Sequence, residues 1–202
     1  MRNAAAALVA IVCWAGLAVQ FSASYAKIHD LGLTFWALAR YFTIITNLLV
    51  AVVMTGAATG GQPSPKLLGG LTLALIFVGL VYVFLLEGLQ HLTGPALVAD
   101  FLLHKLAPAL MTFWWLLFAP RARLKWNGPV WWSLYPLCYF AYIVLRGRLD
   151  HRYPYPFIDV EKLGWLQVAL NGGGIALAFI FAGFALVWID GWRPLGPSGG
   201  KR

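Results

Sequence analysis

Residues 67–86, LLGGLTLALIFVGLVYVFLL, contain no Lys, Arg, Asp or Glu, and this stretch decides the fold. A helix needs about 20 apolar residues to cross the hydrocarbon layer of a bilayer, and this run has that length. Five further runs lack the same four residue types: 3–26, 41–65, 106–120, 126–145 and 163–189. The pattern predicts an all-α membrane protein, built as a bundle of six transmembrane helices.

The composition of the 202 residues supports the same class, since 61% are apolar and only 11% are charged. Soluble domains carry about 25% charged residues, and disordered chains combine low hydrophobicity with high charge, so both classes are excluded. We therefore expect a single integral-membrane helical domain over residues 1–202. Its predicted spans lie at about 4–26, 33–57, 67–90, 97–118, 128–146 and 164–189.

The first span has an alternative interpretation as a signal peptide. Arg2, an apolar stretch and the small residues of 22–26 (SASYA) are typical of a cleaved leader. The apolar stretch is long for such a peptide and further membrane sequence follows at once, which favours a retained span.

The distribution of Lys and Arg predicts that both termini are cytoplasmic, in a multi-pass protein of the plasma membrane. With the N-terminus inside, the inner side holds eight: Arg2, Lys66, Arg121, Arg123, Lys125, Arg193, Lys201 and Arg202. The outer side holds five: Lys27, Arg146, Arg148, Arg152 and Lys162. The net charge of +8 then indicates contact with anionic membrane lipids rather than a nucleic-acid partner, and it leaves the oligomeric state open.

Placing ionisable and polar residues inside membrane spans costs free energy, which makes such residues candidates for a functional site. They lie near one end of three spans: Arg40, Thr43, Thr46 and Asn47 in the second, Glu87 and His91 in the third, Asp100 and His104 in the fourth. Offsets of three and four predict that Arg40, Thr43 and Asn47 share one helical face. The predicted topology brings all three groups, together with the loop 146–162, to the outer side of the bundle, around one cavity.

This set of residue types is suited to covalent ester or amide hydrolysis. Thr43 can act as nucleophile and His104 as its base, with Asp100, one turn earlier, orienting the imidazole. Asn47 or Arg40 would stabilise the oxyanion, and Thr46 is a competing nucleophile.

The same residues also have structural interpretations. A Thr in a membrane helix commonly bonds the carbonyl one turn back, Arg40 can extend to the head groups, and His91 can be solvated at the interface.

The sequence predicts no cofactor and no metal site. Cys13 and Cys138 lie within apolar runs without metal-site spacing, and both are expected to be small buried hydrophobes. Gly172–Gly174 permits close helix approach but lacks the context of a phosphate loop. Tyr135, Tyr139 and Tyr142 follow helical spacing in the fifth span, where they either pack or line a cavity.

Three motifs carry a family resemblance. They are RYFTIITNLL (40–49) early in the second span, LHKLAP (103–108) at the start of the fourth, and YPYPF (153–157) before the sixth. In order and placement they resemble the androgen-induced six-helix membrane proteins, most closely the short microbial branch, over about residues 5–190. That resemblance implies an integral-membrane threonine hydrolase that cleaves fatty acid esters of hydroxy fatty acids, with Thr43 as nucleophile and His104 as base. The alternative is a non-enzymatic lipid-binding, transport or structural membrane protein.

Overall fold

Helices make up the regular structure of residues 1–120 and 123–192, the parts of the chain that the computed structural model describes. In chain order they are α1 Arg2–Ile28, α2 Leu31–Leu38, α3 Phe42–Ala58, α4 Pro65–Val81, α5 Pro95–Phe101, α6 Ala107–Phe118, α7 Gly128–Asp150 and α8 Val160–Trp192. Two π-helical segments, Tyr82–Leu86 and Leu102–Leu106, follow α4 and α5, and a 3-10 turn, Pro156–Ile158, precedes α8. Arg121, Arg193, Lys201 and Arg202 of the inner-side charge count lie outside the described residues.

Local sequence signals account for where several helices start. Pro65 occupies the first turn of α4, and the Ser64 hydroxyl accepts from the Leu67 amide over 3.2 Å. The Asp30 carboxylate caps α2 in the same way, accepting from the Leu33 amide over 2.7 Å. The Gly- and Pro-rich residues 59–64 form the connection between α3 and α4.

Four helical stretches are long and apolar enough to cross a membrane: Arg2–Ile28, Pro65–Leu86, Pro95–Phe118 and Val160–Trp192. The bent pair α2 and α3 makes a fifth if it is counted as one span. Large apolar side chains such as Phe84, Leu166 and Phe181 are exposed on these helices, where water would disfavour them and lipid would not. The chain is thus all-helical in its described parts and compatible with an integral membrane protein.

The second predicted span is broken, which the sequence did not indicate. We expected one helix over 33–57, but α2 and α3 are bent by 96° across the residues between them. Tyr41 has an extended backbone, with φ −97° and ψ 125°, and this interrupts the helical hydrogen bonds. Arg40 therefore lies in the bend, and the prediction that it shares a helical face with Thr43 and Asn47 is wrong.

The apolar core forms two clusters. The larger one joins α1, α3, α4 and α6 through fully buried residues such as Cys13, Val50, Leu75 and Met111. The smaller one joins α7, the 3-10 turn and α8. It brings the connection that contains Tyr155 against α7.

Close helix approaches depend on particular glycines. A Cβ on Gly172 would meet the Phe140 ring at 2.8 Å, whereas Gly173 and Gly174 face open space, so only the first serves the predicted approach. Of the two cysteines, Cys13 is buried as expected and Cys138 is exposed, which corrects the prediction for the second.

Candidate functional site

The Thr43 and His104 side chains are in direct contact. The distance from Thr43 Oγ1 to His104 Nε2 is 3.1 Å, which is a hydrogen bond between α3 and the π-helical segment Leu102–Leu106. The two residues are 61 positions apart in the chain, and Thr43 is buried. The structure thus brings together the two residues to which the sequence analysis gave the roles of nucleophile and base.

Thr43 differs from the other threonines of the helices. The hydroxyls of four of them donate to the carbonyl four residues earlier, at 2.6–2.7 Å: Thr34, Thr55, Thr72 and Thr112. Thr43 is the second residue of α3, directly after the break, so the residue four positions before it is not part of the same helix. Its hydroxyl is consequently directed to His104 instead of a backbone carbonyl.

The other imidazole nitrogen is held by Asp100. His104 Nδ1 lies 3.1 Å from the Asp100 carboxylate and 3.2 Å from the Asp100 backbone carbonyl. Both neighbours are acceptors, so the tautomer that satisfies them carries its proton on Nδ1. Nε2 is then free to accept from the Thr43 hydroxyl. This Thr–His–Asp order is the arrangement of an activated hydroxyl nucleophile.

Tyr82 completes the support of the imidazole, and sequence reasoning missed it. Its hydroxyl donates to the second Asp100 carboxylate oxygen over 2.5 Å, and its ring stacks on the His104 imidazole with centroids 4.4 Å apart. Tyr82 opens one π-helical segment and His104 lies in the other. Such π-turns recur at functional sites because they re-aim side chains within a helix.

Thr46 and Asn47 have partners of their own. Thr46 Oγ1 hydrogen-bonds the Tyr135 hydroxyl over 2.9 Å, and this partner is on α7 rather than at His104. The Asn47 amide donates to the backbone carbonyls of Thr43 at 2.9 Å and Leu103 at 3.3 Å. Asn47 therefore ties α3 to the helix of His104, and both its donor contacts are already made.

Arg40 points away from Thr43. Its guanidinium forms a bidentate pair with Asp150 at 3.0 and 2.5 Å and also donates to the Arg152 carbonyl. Hydrogen bonding from Arg40 lowers the pKa of the Asp150 carboxyl below its ordinary value. Arg146 lies 3.6 Å from the same carboxylate and stacks over the Trp36 ring. Arg40 is thus an internal ion-pair partner and does not extend to the head groups.

Backbone groups at the break are satisfied by tyrosines. The hydroxyls of Tyr139 and Tyr142 donate to the carbonyls of Arg40 at 2.7 Å and Ala39 at 3.1 Å. The Phe42 amide donates to the Tyr155 hydroxyl over 3.2 Å. The regular tyrosines of α7, left undecided by the sequence, thus have a polar role.

The remaining predicted residues lie at the edge of the site. Glu87 pairs with Lys105 at 2.5 Å, with both side chains about 40% exposed. His91 is exposed, as an interfacial histidine would be.

An apolar pocket adjoins Thr43. Its empty space, including open solvent at the mouth, is about 730 Å³. Its walls come from α3, α4, α7, the 153–158 connection and α8, and they include Phe42, Phe77, Val81, Tyr139, Phe140, Ile143, Tyr155 and Ile175. The Thr43 hydroxyl therefore lies between an imidazole and a space that only an apolar group would fill favourably.

Within residues 1–120 and 123–192, no three His, Cys, Asp or Glu side chains come together as a metal site. No family model and no curated protein matches the chain, and no solved structure matches its fold.

Proposed function

We propose that this protein is an integral-membrane lipid-ester hydrolase of the androgen-induced six-helix type, with Thr43 as nucleophile and His104 as general base. The observation that carries the proposal is the 3.1 Å contact between Thr43 Oγ1 and His104 Nε2, with Asp100 on the opposite imidazole nitrogen. The Thr43 hydroxyl bonds an oriented imidazole instead of a backbone carbonyl, which is the arrangement of a hydroxyl activated by a base.

The six-span topology belongs to the same proposal. The bent pair α2 and α3 would form one crossing, and α7 would form the sixth. Trp131, Leu134 and Leu145 support the crossing by α7, since they are exposed apolar side chains along its length. Both termini would then be cytoplasmic and the site would open near the outer face.

The reaction follows from the hydrogen bonds. Thr43 Oγ1 bonds to the ester carbonyl carbon while its proton moves to His104 Nε2, and the carbonyl electron pair moves onto oxygen. When the carbonyl reforms, the ester C–O bond breaks and His104 returns the proton to the leaving alcohol. Water then repeats the sequence on the acyl-threonine and releases the acid. Asp100 and Tyr82 keep the imidazole oriented throughout.

The pocket supports a fatty-ester substrate. Its lining is largely aromatic and aliphatic, which suits a fatty acyl chain, and it includes Thr43. A fatty acid ester of a hydroxy fatty acid would place its ester carbonyl at the polar end and one hydrocarbon chain in the pocket.

The test compares two threonines of one helix. Thr43→Val removes the hydroxyl and keeps the shape, and Thr46→Val is the matched control because Thr46 contacts Tyr135 instead of His104. With purified protein in detergent and a fatty acid ester of a hydroxy fatty acid, we expect Thr43→Val to lose at least about 10³-fold in kcat. A fluorophosphonate probe should label Thr43 in the wild type.

Wild-type turnover by a folded Thr43→Val protein would refute the proposal. Labelling of Thr46 with loss of activity in Thr46→Val would transfer the nucleophile to that residue. Bound lipid without any turnover would favour a lipid-binding protein. Arg40 and Arg146 are already engaged in internal contacts, and this argues against a site for a lipid head group.

A further inference from the structure

An ester hydrolase needs a hydrogen-bond donor for the carbonyl oxygen, which becomes negatively charged when the hydroxyl attacks. The two donors expected from the sequence are engaged elsewhere. The Asn47 amide is bound to the Thr43 and Leu103 carbonyls, and the Arg40 guanidinium is bound to Asp150. The donor has to come from the pocket side of Thr43.

Tyr155 reaches Thr43 from that side. Both residues line the apolar pocket, and the Tyr155 hydroxyl accepts from the amide of Phe42, the residue directly before Thr43. The Tyr155 side chain is held at both ends: the Phe42 amide donates to its oxygen over 3.2 Å, and its ring stacks on Phe157 with centroids 5.3 Å apart. Tyr155 is only 9% exposed, so its hydroxyl is positioned before any substrate arrives.

The Tyr155 hydroxyl can donate a hydrogen bond as well as accept one. The neighbouring Tyr139 hydroxyl donates to the Arg40 carbonyl over 2.7 Å. Tyr155 accepts from the Phe42 amide, so its own O–H remains a donor. Burial raises the pKa of Tyr155 to about 12, and the hydroxyl therefore stays protonated through the neutral range.

We infer that Tyr155 is the oxyanion-binding residue: its hydroxyl donates to the ester carbonyl oxygen as Thr43 attacks. This inference rests on the proposed hydrolase function and adds a catalytic residue to it. As the carbonyl electron pair moves onto oxygen, the Tyr155 hydrogen bond strengthens, and the bond weakens again when the alcohol leaves. The positive end of the α3 dipole, at Phe42, is next to Thr43 in the chain and would act in the same direction.

The test is Tyr155→Phe, which keeps the stacked ring and removes only the hydroxyl. Its matched control is Tyr135→Phe, which removes a hydroxyl bound to Thr46. With the fatty-ester substrate we expect kcat of Tyr155→Phe to fall by about 10²–10³-fold while KM changes little. Tyr135→Phe should keep the wild-type kcat.

Two inhibitors separate oxyanion binding from packing. A fatty trifluoromethyl ketone forms a tetrahedral oxyanion on Thr43, and its affinity should fall in Tyr155→Phe by about the same factor as kcat/KM. The corresponding ether has no carbonyl, so its affinity should not change. If Tyr155→Phe does not fold, fluorotyrosine at position 155 replaces it and, as a stronger donor, should tighten the ketone.

Each outcome of these experiments either supports or overturns the inference. Wild-type turnover with an equally active Tyr155→Phe overturns this inference and leaves the hydrolase standing. If Tyr155→Phe weakens binding of the ketone and of the ether equally, Tyr155 serves packing and the inference is overturned. A ketone affinity that fluorotyrosine leaves unchanged overturns the inference as well. Absence of turnover and of Thr43 labelling in the wild type removes the hydrolase and the inference together.

Discussion

Replacement of Arg40 by Met tests what holds the break between α2 and α3. The Arg40 side chain is 8% exposed and is bidentate to Asp150, whose side chain is 25% exposed. Removing one partner of a buried pair costs about 3–5 kcal/mol, because the other charge is left uncompensated. Water reaches part of the Asp150 carboxylate, so we expect a loss of roughly 2–3 kcal/mol in the free energy of unfolding.

The assay is a double-mutant cycle on protein purified in mild detergent. The free energy of unfolding is measured by circular dichroism for the wild type, Arg40→Met, Asp150→Asn and the double variant. The double variant should lose less free energy of unfolding than the two single variants together, because the Arg40–Asp150 interaction is removed by either substitution and can be lost only once. The control is Arg148→Met, at an exposed Arg 5.5 Å from the Trp165 ring, which should lose at most about 1 kcal/mol.

The pH dependence of the free energy of unfolding tests the same ion pair. Arg40 lowers the pKa of Asp150 in the folded protein, so the pair's contribution is complete above the unfolded pKa of about 3.9. It is lost as the pH falls through the lower, folded-state pKa. Wild-type stability should therefore fall below about pH 4 more steeply than that of Arg40→Met. Equal acid slopes, or an Arg40→Met protein as stable as the wild type, would refute this account of the break.

Two further changes probe the site and its support. Asp100→Asn should lower kcat by about 10²–10³-fold, since it removes a carboxylate that stabilises the imidazolium by roughly 4 kcal/mol, while the Asp100 backbone carbonyl still holds His104 Nδ1. Unchanged kcat in the ester assay would exclude Asp100 from the reaction. Gly147→Ala would put a Cβ 2.2 Å from the Tyr153 ring and should destabilise the protein by about 1–3 kcal/mol in the unfolding assay. Gly173→Ala, which faces open space on α8, should be neutral or gain about 0.5–1 kcal/mol, and an equal loss in both would contradict the packing explanation.

The helices could be predicted from the sequence, but the break could not. Apolar runs bounded by residues such as Pro65 and Asn127 fix where helices form, because span length and helix-start signals are local. At the interruption, Arg40 is bound by Asp150, which is 110 positions away in the chain. Hydropathy treats the residues before and after the break alike, since both sides are apolar.

The site was predictable where its residues share one helix turn. Asp100 and His104 are four apart, and that spacing alone predicted their contact, which the structure has at 3.1 Å. Tyr82 was missed because an aromatic residue near a span end is equally typical of the interfacial belt, and Tyr155, although part of the YPYPF motif, was given no role. Their contacts depend on two π-helical segments and on a connection packed against α7, and neither has a local sequence signal.

The break itself explains why Thr43 is available for chemistry. In a continuous helix its hydroxyl would have the carbonyl of Ala39 one turn behind it and would bond there, as four other threonines of the fold do. Breaking the helix frees backbone groups that a bilayer would leave unsatisfied, and such a break persists only if neighbouring side chains bind them. Tyr139 and Tyr142 bind the carbonyls of Arg40 and Ala39, and Tyr155 binds the Phe42 amide. The tyrosines that bind these groups thus lie at the start of the helix that carries Thr43, the proposed nucleophile, and one of them, Tyr155, lines the same pocket as Thr43.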